Sequence, residues 1–521
     1  MVWFAPIGWL ALAHRESLPG LRPYRTIWLA AIVFWVLTLH WLRLPHPLNH
    51  LLLVILASYL ACYLPMFIAL SRIGVHRLRL PLWLVAPVVW TGLDWIRGNF
   101  MTGFLMGSLA HTQVAFPELI QLASFVGEYG ITFCIILVAT LLTQVMWPVP
   151  TTWIRRSCSS LAAVAIIITL LFYGSAITTV GHAKSHRSPE GPRVAIIQGH
   201  TLADWKADPK RQQTIMQEYV HLTQEAIELS QQQDERGVDL VIWPETAYRN
   251  PLWTVQEGYQ PPAELFSDFA LKASQVYLQD FVLQIDAAIL TGIDRVHLFP
   301  DKLGQLDQKG FNSSAFMDRS GGTFGTYDKM HLVIMGEYVP FTDWIPALRK
   351  LTPMTGLATP GERPAAFTSE GMTYCPNICY ETCVPHLIRR HMKELSDAGK
   401  TPDVLVNLTN DAWFWGSSEL DMHLACGIFR AVEMRLPLLI AANGGLSAHV
   451  DPYGNVQQVT QRQQAATLLV DLPQRTTKQL TFYARWGDWF AGLCVICCMA
   501  LAVVGWRSRQ ALPTVSRSNV T

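Results

Sequence analysis

The sequence predicts an α-helical multi-span membrane domain plus an α/β extracytoplasmic domain, and three observations carry that prediction. Half of the 521 residues are hydrophobic and only 15% are charged, where an ordinary soluble domain carries about 25%. The apolar residues gather into long uncharged runs. Between residues 181 and 485 the charges return, the apolar runs shorten, and Gly and Pro punctuate them. Other classes are excluded early. A formal net charge of +1 offers no basic field for nucleic acid, whose binding rests on neutralising phosphates. The apolar fraction excludes disorder. Ten cysteines in a chain this long do not make a disulfide scaffold.

The membrane elements follow in order. Residues 26–42 and 48–70 carry no formal charge, 80–96 carry only Asp94, and 129–147, 159–180 and 489–506 carry none. About 20 residues of helix cross the hydrocarbon layer, so these runs read as six spans. A buried helix in a soluble protein would give one such run, not six. Residues 1–13 are apolar but too short to span. No basic stretch precedes them and no small-residue cleavage site follows, which argues against a signal peptide. Arg15, Arg22 and Arg25 precede the first span; Arg72, Arg77 and Arg79 follow the second; Arg155 and Arg156 precede the fifth; Arg507, Arg509 and Arg517 follow the last. Placing these basic residues in the cytoplasm makes the spans alternate and puts the large domain on the opposite side. Residues 100–116, with Gly103, Gly107 and His111, then lie at the outer face as re-entrant or interfacial backbone covered by protein. The expected boundaries are 1–180 for the N-terminal membrane helices, 181–485 for the α/β domain, 486–506 for a last membrane helix and 507–521 for a cytoplasmic tail.

Inside the α/β domain, the segments 194–198, 240–243, 288–292, 313–317, 404–408 and 438–442 are short, apolar and bounded by turn residues, as expected of buried strands. Residues 210–233 place Ile215, Tyr219, Leu222, Ala226 and Leu229 at helical spacing, and 422–434 make a second helix.

Three segments set a reactive side chain where an apolar run ends. They are Asp239-Leu-Val-Ile-Trp-Pro-Glu245, Tyr327-Asp-Lys329-Met-His-Leu followed by Gly336-Glu337-Tyr-Val-Pro340, and Asn377-Ile-Cys379-Tyr380-Glu381. Ligands gather beyond the carboxyl ends of strands in α/β sheets, so a carboxylate, an ammonium and a thiol converge there. A thiol of pKa about 8.5 is a poor nucleophile until it loses its proton. A carboxylate in reach takes that proton as general base, and an ammonium stabilises the oxyanion that forms at an attacked carbonyl. Glu245, Lys329 and Cys379 fit these roles, with the Tyr380 N–H as a second oxyanion donor. Taken singly each signal is weak, because a Cys after a strand is usually packed in a core and a Lys in a polar loop is usually solvated.

Together the three segments resemble the nitrilase superfamily, whose catalytic set is Glu, Lys and Cys, and more closely its membrane branch, the apolipoprotein N-acyltransferases. The resemblance continues through Asn407-Leu-Thr-Asn-Asp411-Ala-Trp413-Phe, Arg430-Ala-Val-Glu433, Ala442-Asn443-Gly-Gly and Tyr483-Ala-Arg485-Trp-Gly-Asp. In the membrane half, Trp90-Thr-Gly-Leu-Asp94-Trp-Ile-Arg97 and Thr102-Gly103-Phe104 are similar to the family's membrane signature. Two departures stand out: Asp94 replaces the usual Glu, and Phe104-Leu-Met-Gly replaces the usual Phe-Pro-Trp. The family has eight spans, so the chain is expected to begin inside the family's second helix.

The resemblance implies a nitrilase-like αββα sandwich for the α/β domain and an N-acyltransferase that needs no cofactor and no metal. The acyl donor would be a phospholipid, phosphatidylethanolamine by the family pattern, and the acceptor the α-amino group of a diacylglyceryl-cysteine lipoprotein. It further implies that Glu337 orients Lys329, that Tyr380 and Glu381 support the nucleophile loop, and that Trp205 lies where the lipid comes in. The implied location is a bacterial inner membrane, with the catalytic domain on the periplasmic side. The rival readings are a membrane-tethered amidase with water as acceptor, a catalytically inactive lipid-binding scaffold, and a transporter using Asp94, Arg97 and Glu128.

The remaining cysteines and histidines form no zinc spacing. Cys375, Cys379 and Cys383 are four apart, and a disulfide between Cys375 and Cys383 stays open. Cys494, Cys497 and Cys498 fall inside the last apolar run as small packing residues, and His331, His423 and His449 are scattered.

Overall fold

The computed structural model describes residues 1–146, 152–185, 188–203, 209–339, 342, 344, 345, 358–474 and 478–510. Two compact units divide the chain. One holds Met1–His40, Asn49–Ile177 and the chain from Trp486; the other holds Trp41–Leu48 and Thr178–Arg485.

In the first unit, among the described residues, the uncharged runs are largely helical. Asn49–Arg77, Glu128–Met146, Trp153–Lys184 and Trp489–Arg507 are long and apolar enough to cross a membrane. The other two runs form a shorter helix and a less apolar one. Pro23–Thr38 has 16 residues, about 24 Å of helix at 1.5 Å per residue, short of the roughly 30 Å hydrocarbon layer. Leu82–Asn99 contains Pro87 and buries the ion pair Asp94–Arg97, 2.7 Å apart, which lowers its apolarity. The core is built from Leu10, Ala13, Phe67, Val85, Val89, Leu93, Ile136 and Leu501, so the short helix Ile7–His14 is packed rather than hanging free. Cys494 and Cys498 are buried. A Cβ on Gly92 would come within 2.7 Å of the Cys498 sulfur, so the two helices approach closely there. Residues 100–116 are short 3₁₀ turns and loops. Their polar groups are met by protein: Arg97 reaches the Met106 carbonyl at 3.3 Å and Ser108 donates to Asp94 at 3.4 Å.

The second unit is built on two sheets. The strands are β1 (Glu190–Gln198), β2 (Leu240–Ile242), β3 (Tyr248–Val255), β4 (Ala288–Pro300), β5 (Leu306–Met317), β6 (Phe324–Asp328), β7 (Phe367–Ser369), β8 (Met372–Ile378), β9 (Val404–Asn410), β10 (Leu438–Asn443), β11 (Ala448–Val450), β12 (Val456–Val459) and β13 (Ala466–Pro473). The longer helices are α1 (Pro209–Asp234), α2 (Asp268–Ile285), α3 (Pro385–Asp397) and α4 (Glu419–Met434). One sheet runs β13-β1-β2-β4-β5-β6 with β3 on β4; the other runs β12-β11-β10-β9-β8-β7.

Alternation along each strand sets the layers, because successive side chains point to opposite faces. Val194, Ile196, Leu240, Ile242 and Leu290 meet Tyr374, Ile378, Val406, Leu408 and Leu439 of the other sheet in one buried core. Their sequence neighbours Ala195, Ile197, Val241, Trp243 and Ile289 face α1 and α2 instead, through Tyr219, Leu222, Leu278 and Phe281. On the far side α4 packs against β10: a Cβ on Gly427 would lie 2.8 Å from Leu438. The result is the αββα sandwich.

Strand direction brings the site together. β1, β2 and β4 are mutually parallel, β5 is antiparallel to β4, and β6 is antiparallel to β5. So β6 runs the same way as β2, and both deliver their carboxyl ends to one edge. In the second sheet β8, β9 and β10 are parallel.

Candidate active site

Glu245 follows β2 by three residues. Trp243 continues the ladder, donating its N–H to the Leu290 carbonyl at 2.9 Å, and Gly292 donates to the Pro244 carbonyl at 3.1 Å. A side chain on Gly292 would lie 2.4 Å from that carbonyl and 2.5 Å from the Glu245 Cα. The missing Cβ therefore lets the Glu245 turn sit directly on β4.

Lys329 follows β6 and is fully buried. Its Nζ lies 2.9 Å from Glu337 Oε1 and 3.5 Å from Glu245 Oε1. Asn312 on β5 donates its amide to the same two oxygens, at 2.7 Å to Glu245 and 2.9 Å to Glu337. The outer oxygens are also held, Glu245 Oε2 by the Asn410 N–H at 2.9 Å and Glu337 Oε2 by the Val333 N–H at 2.9 Å. Burial alone pulls the Lys329 ammonium down, but Glu337, Glu245 and Cys379 together push it well above the ordinary lysine value. Burial pushes the Glu337 carboxyl up, and the Lys329 charge with the Val333 N–H outweighs this, leaving it below the ordinary range.

Cys379 opens a 3₁₀ turn, Cys379–Cys383, immediately after β8, and its φ is +53°. A non-glycine residue in the left-handed region is held there by its surroundings. The Cys379 carbonyl accepts from Asn407 Nδ2 at 3.1 Å and lies 3.2 Å from His423 Nε2. The thiol is half-buried beside Thr409. Burial raises its pKa well above the ordinary value; Glu245 adds to that, while Lys329 opposes it. The resting group is therefore a thiol with a carboxylate and an ammonium beside it.

Glu381 ties the two loops together. Its buried carboxyl accepts from the Ile378 N–H at 2.7 Å beside the nucleophile. It also accepts from the Met330 and His331 N–H groups at 2.7 and 2.9 Å beside Lys329, and from the Tyr327 hydroxyl at 2.8 Å. Burial lifts it to about 7 although these donors act the other way. Tyr380 is half-buried, its ring 6.1 Å from that of His331.

Glu245, Lys329, Glu337, Cys379, Tyr380 and Glu381 thus meet at one end of the sandwich. Trp205 and Pro340 lie outside the described residues. Cys375 and Cys383, whose pairing the sequence leaves open, are both free, buried thiols. Sequence reasoning missed Asn312, gave Thr409 and Asn410 no role beyond their place in the Asn407–Asp411 motif, and set His423 aside as scattered. One signal was present: Glu419 and His423 are four apart on α4, hence on one face. Asp411, Glu419 and His423 bring their polar atoms within 4.8 Å of one another, a spacing that would suit a cation. Both ring nitrogens of His423 are already engaged, Nδ1 with Asp411 Oδ1 at 3.4 Å and Nε2 with the Cys379 carbonyl.

The arrangement suits acyl transfer through a covalent cysteine intermediate. Comparison with known proteins identifies the relatives of this chain. The family model "Apolipoprotein N-acyltransferase N-terminal domain" matches residues 1–141, and the model "Carbon-nitrogen hydrolase" matches residues 193–482. An apolipoprotein N-acyltransferase of Rhodopirellula baltica is 30% identical, over 98% of this chain and 94% of that protein. Its namesake in Geobacter metallireducens is 29% identical, over 97% and 92%. Among solved structures, an amidase from Nesterenkonia is 19% identical over 55% of this chain and 92% of its own, with a TM-score of 0.35. The chain belongs to the apolipoprotein N-acyltransferases, a membrane branch of the carbon-nitrogen hydrolases.

Proposed function

We propose that this protein transfers a fatty acyl chain from a phospholipid, through a thioester on Cys379, to the α-amino group of a diacylglyceryl-cysteine lipoprotein. The observation that carries the reading is the buried Lys329 ammonium between Glu245 and Glu337, beside the Cys379 elbow.

In the first step Glu245 takes the Cys379 proton as the sulfur attacks the ester carbonyl. Lys329 Nζ and the Tyr380 N–H hold the oxyanion. The tetrahedral intermediate collapses, the lysophospholipid alkoxide leaves with the proton from Glu245, and the thioester remains. In the second step the lipoprotein amine attacks that thioester and gives its proton to Glu245. The sulfur leaves, recovers the proton, and an amide is formed. No ATP is needed, since ester to thioester is nearly balanced and thioester to amide runs downhill. Glu337 keeps Lys329 charged and in place throughout. Tyr380 and Glu381 shape the nucleophile turn, and Trp205 would line the path of the lipid.

In this reading residues 181–485 are the catalytic domain, residues 1–180 and 486–506 seat it at the bilayer, and 507–521 form a cytoplasmic tail. The protein then resides in the bacterial inner membrane with its catalytic domain facing the periplasm, and phosphatidylethanolamine is the donor. An acyl chain buried in hydrocarbon contributes about 0.8 kcal/mol per CH₂. That binding keeps the thioester in a poorly hydrated pocket until an amine arrives. The amidase alternative shares the catalytic groups but gives the membrane helices no role beyond tethering.

The test is incubation of the purified protein with phosphatidylethanolamine and a diacylglyceryl lipopeptide. N-acylated lipopeptide and lysophospholipid are expected in equal amounts. Release of free fatty acid without lipopeptide acylation would refute the proposal.

A further inference from the structure

We propose that His423, held by Asp411, is a positioning residue that aims the oxyanion-binding N–H of the Cys379–Tyr380 peptide. The inference rests on the transferase reading only for the identity of the acyl donor.

The argument begins with the peptide itself. A trans peptide is planar, so the Cys379 carbonyl and the Tyr380 N–H point to opposite sides. The direction of one fixes the other. Two side chains reach that carbonyl, Asn407 Nδ2 at 3.1 Å from β9 and His423 Nε2 at 3.2 Å from α4. The Tyr380 N–H is thereby turned away from both. The left-handed Cys379 makes this clamp necessary, because such a backbone relaxes unless its surroundings over-determine it.

The ring is itself fixed. A carbonyl only accepts, so Nε2 carries a proton. Nδ1 faces Asp411 Oδ1 at 3.4 Å, and the Thr409 hydroxyl lies 2.6 Å from the same oxygen. Thr409 also lies beside the Cys379 thiol. Thr409, Asp411 and His423 therefore form one polar chain that ends on the Cys379 carbonyl. Glu419 approaches the same ring, and its buried Oε2 has no hydrogen-bond partner among the described residues. Burial pulls the imidazole down, but Asp411 outweighs it and His423 is pushed up to about 9, while burial and Asp411 hold the Glu419 carboxyl well above its ordinary range. A ring that donates at both nitrogens polarises the Cys379 carbonyl, and through the shared amide it strengthens the Tyr380 N–H as a donor. The Tyr380 N–H acts on the transition state, so loss of its aim is expected in kcat rather than KM.

The experiment uses the full chain in phospholipid nanodiscs and compares His423→Ala, His423→Gln and wild type. Two acyl donors are supplied, phosphatidylethanolamine and a 4-nitrophenyl ester, and acylation of Cys379 is followed by mass. Iodoacetamide alkylation of Cys379, which forms no oxyanion, reports whether the elbow is intact. Removing a whole oxyanion donor costs roughly 10²–10³-fold, so a mis-aimed donor in His423→Ala is expected to lower the acylation kcat about 10- to 100-fold. KM and alkylation should stay within about threefold. His423→Gln can still donate to the carbonyl and should recover most of the rate. The proposal is overturned by an unchanged kcat in His423→Ala, by equal losses in Ala and Gln, or by alkylation falling in step with acylation. Stoichiometric metal in the wild type that is lost on substitution also overturns it. Wild type that accepts the nitrophenyl ester but not the phospholipid would sink the donor assignment and leave the positioning role under test. Wild type acylated by neither donor sinks both.

Discussion

Replacing Glu337 by Gln removes one negative charge from a pocket in which two carboxyl groups share a single ammonium. Glu337 is the nearer partner of Lys329, at 2.9 Å against 3.5 Å for Glu245. The substituted amide keeps an oxygen for the Lys329 ammonium or for the Val333 N–H. It also presents an NH₂ group to a region already supplied with donors by Lys329 and Asn312. A hydrogen bond to a charged group is worth about 1.5–3 kcal/mol. If that energy acts mainly on the oxyanion held by Lys329, division by 1.36 kcal/mol per decade gives a rate loss of about 10- to 150-fold. The loss should fall on kcat for thioester formation, with KM little changed, because the phospholipid ground state makes no use of the charge. Single-turnover acylation followed by intact mass measures it, with iodoacetamide labelling of Cys379 as the check on folding. A rate within twofold of wild type, or a loss confined to KM, would refute the assignment of Glu337 as the residue that holds Lys329.

Other outcomes follow from the same geometry. Glu381→Gln sets an NH₂ group among the Ile378, Met330 and His331 N–H donors. An unsatisfied buried donor costs about 1–3 kcal/mol, so a lower unfolding temperature with weakened acylation is expected, and an unchanged melt would contradict the linking role. Gly292→Ala forces a methyl to within 2.5 Å of the Glu245 Cα; the protein should fold with Glu245 displaced and acylation reduced, on the order of 10²-fold if general-base help is lost. Normal activity there would show that the close approach is not needed. Because burial and Glu245 raise the Cys379 thiol, its alkylation without substrate should be slow at neutral pH and climb beyond pH 9. A rate already at its plateau below pH 8, read by peptide mapping, would contradict a resting thiol.

Much of this was legible in the sequence, for identifiable reasons. Parallel strands buried on both faces read as short apolar runs, so β1, β2, β9 and β10 stand close to the predicted 194–198, 240–243, 404–408 and 438–442. Strand β8, which delivers Cys379, was missed because it carries Thr373, Pro376 and Asn377. Its polar groups are met by neighbours such as Asp403 and the Val406 carbonyl, which local pattern does not reveal. The halves of β4 and β5 beyond the predicted segments are partly exposed and polar. Helix α2 was hidden because Phe269, Val276 and Leu283 are exposed while Leu278 and Phe281 are buried, which blurs its apolar face.

At the site, the charged and nucleophilic residues announced themselves by motif, whereas the neutral groups that position them did not. Asn312 is 67 residues from Glu245, and only the register of β4 with β5 brings them together. Thr409 and His423 reach Cys379 from two further elements.

The most direct measurement is the intact mass of the purified full-length protein after incubation with phosphatidylethanolamine, followed by addition of a diacylglyceryl lipopeptide. One acyl mass should appear on Cys379, stay absent in Cys379→Ala, and disappear when the lipopeptide amine arrives. A folded protein that gains no acyl mass, or gains it equally with Cys379→Ala, would contradict the covalent mechanism.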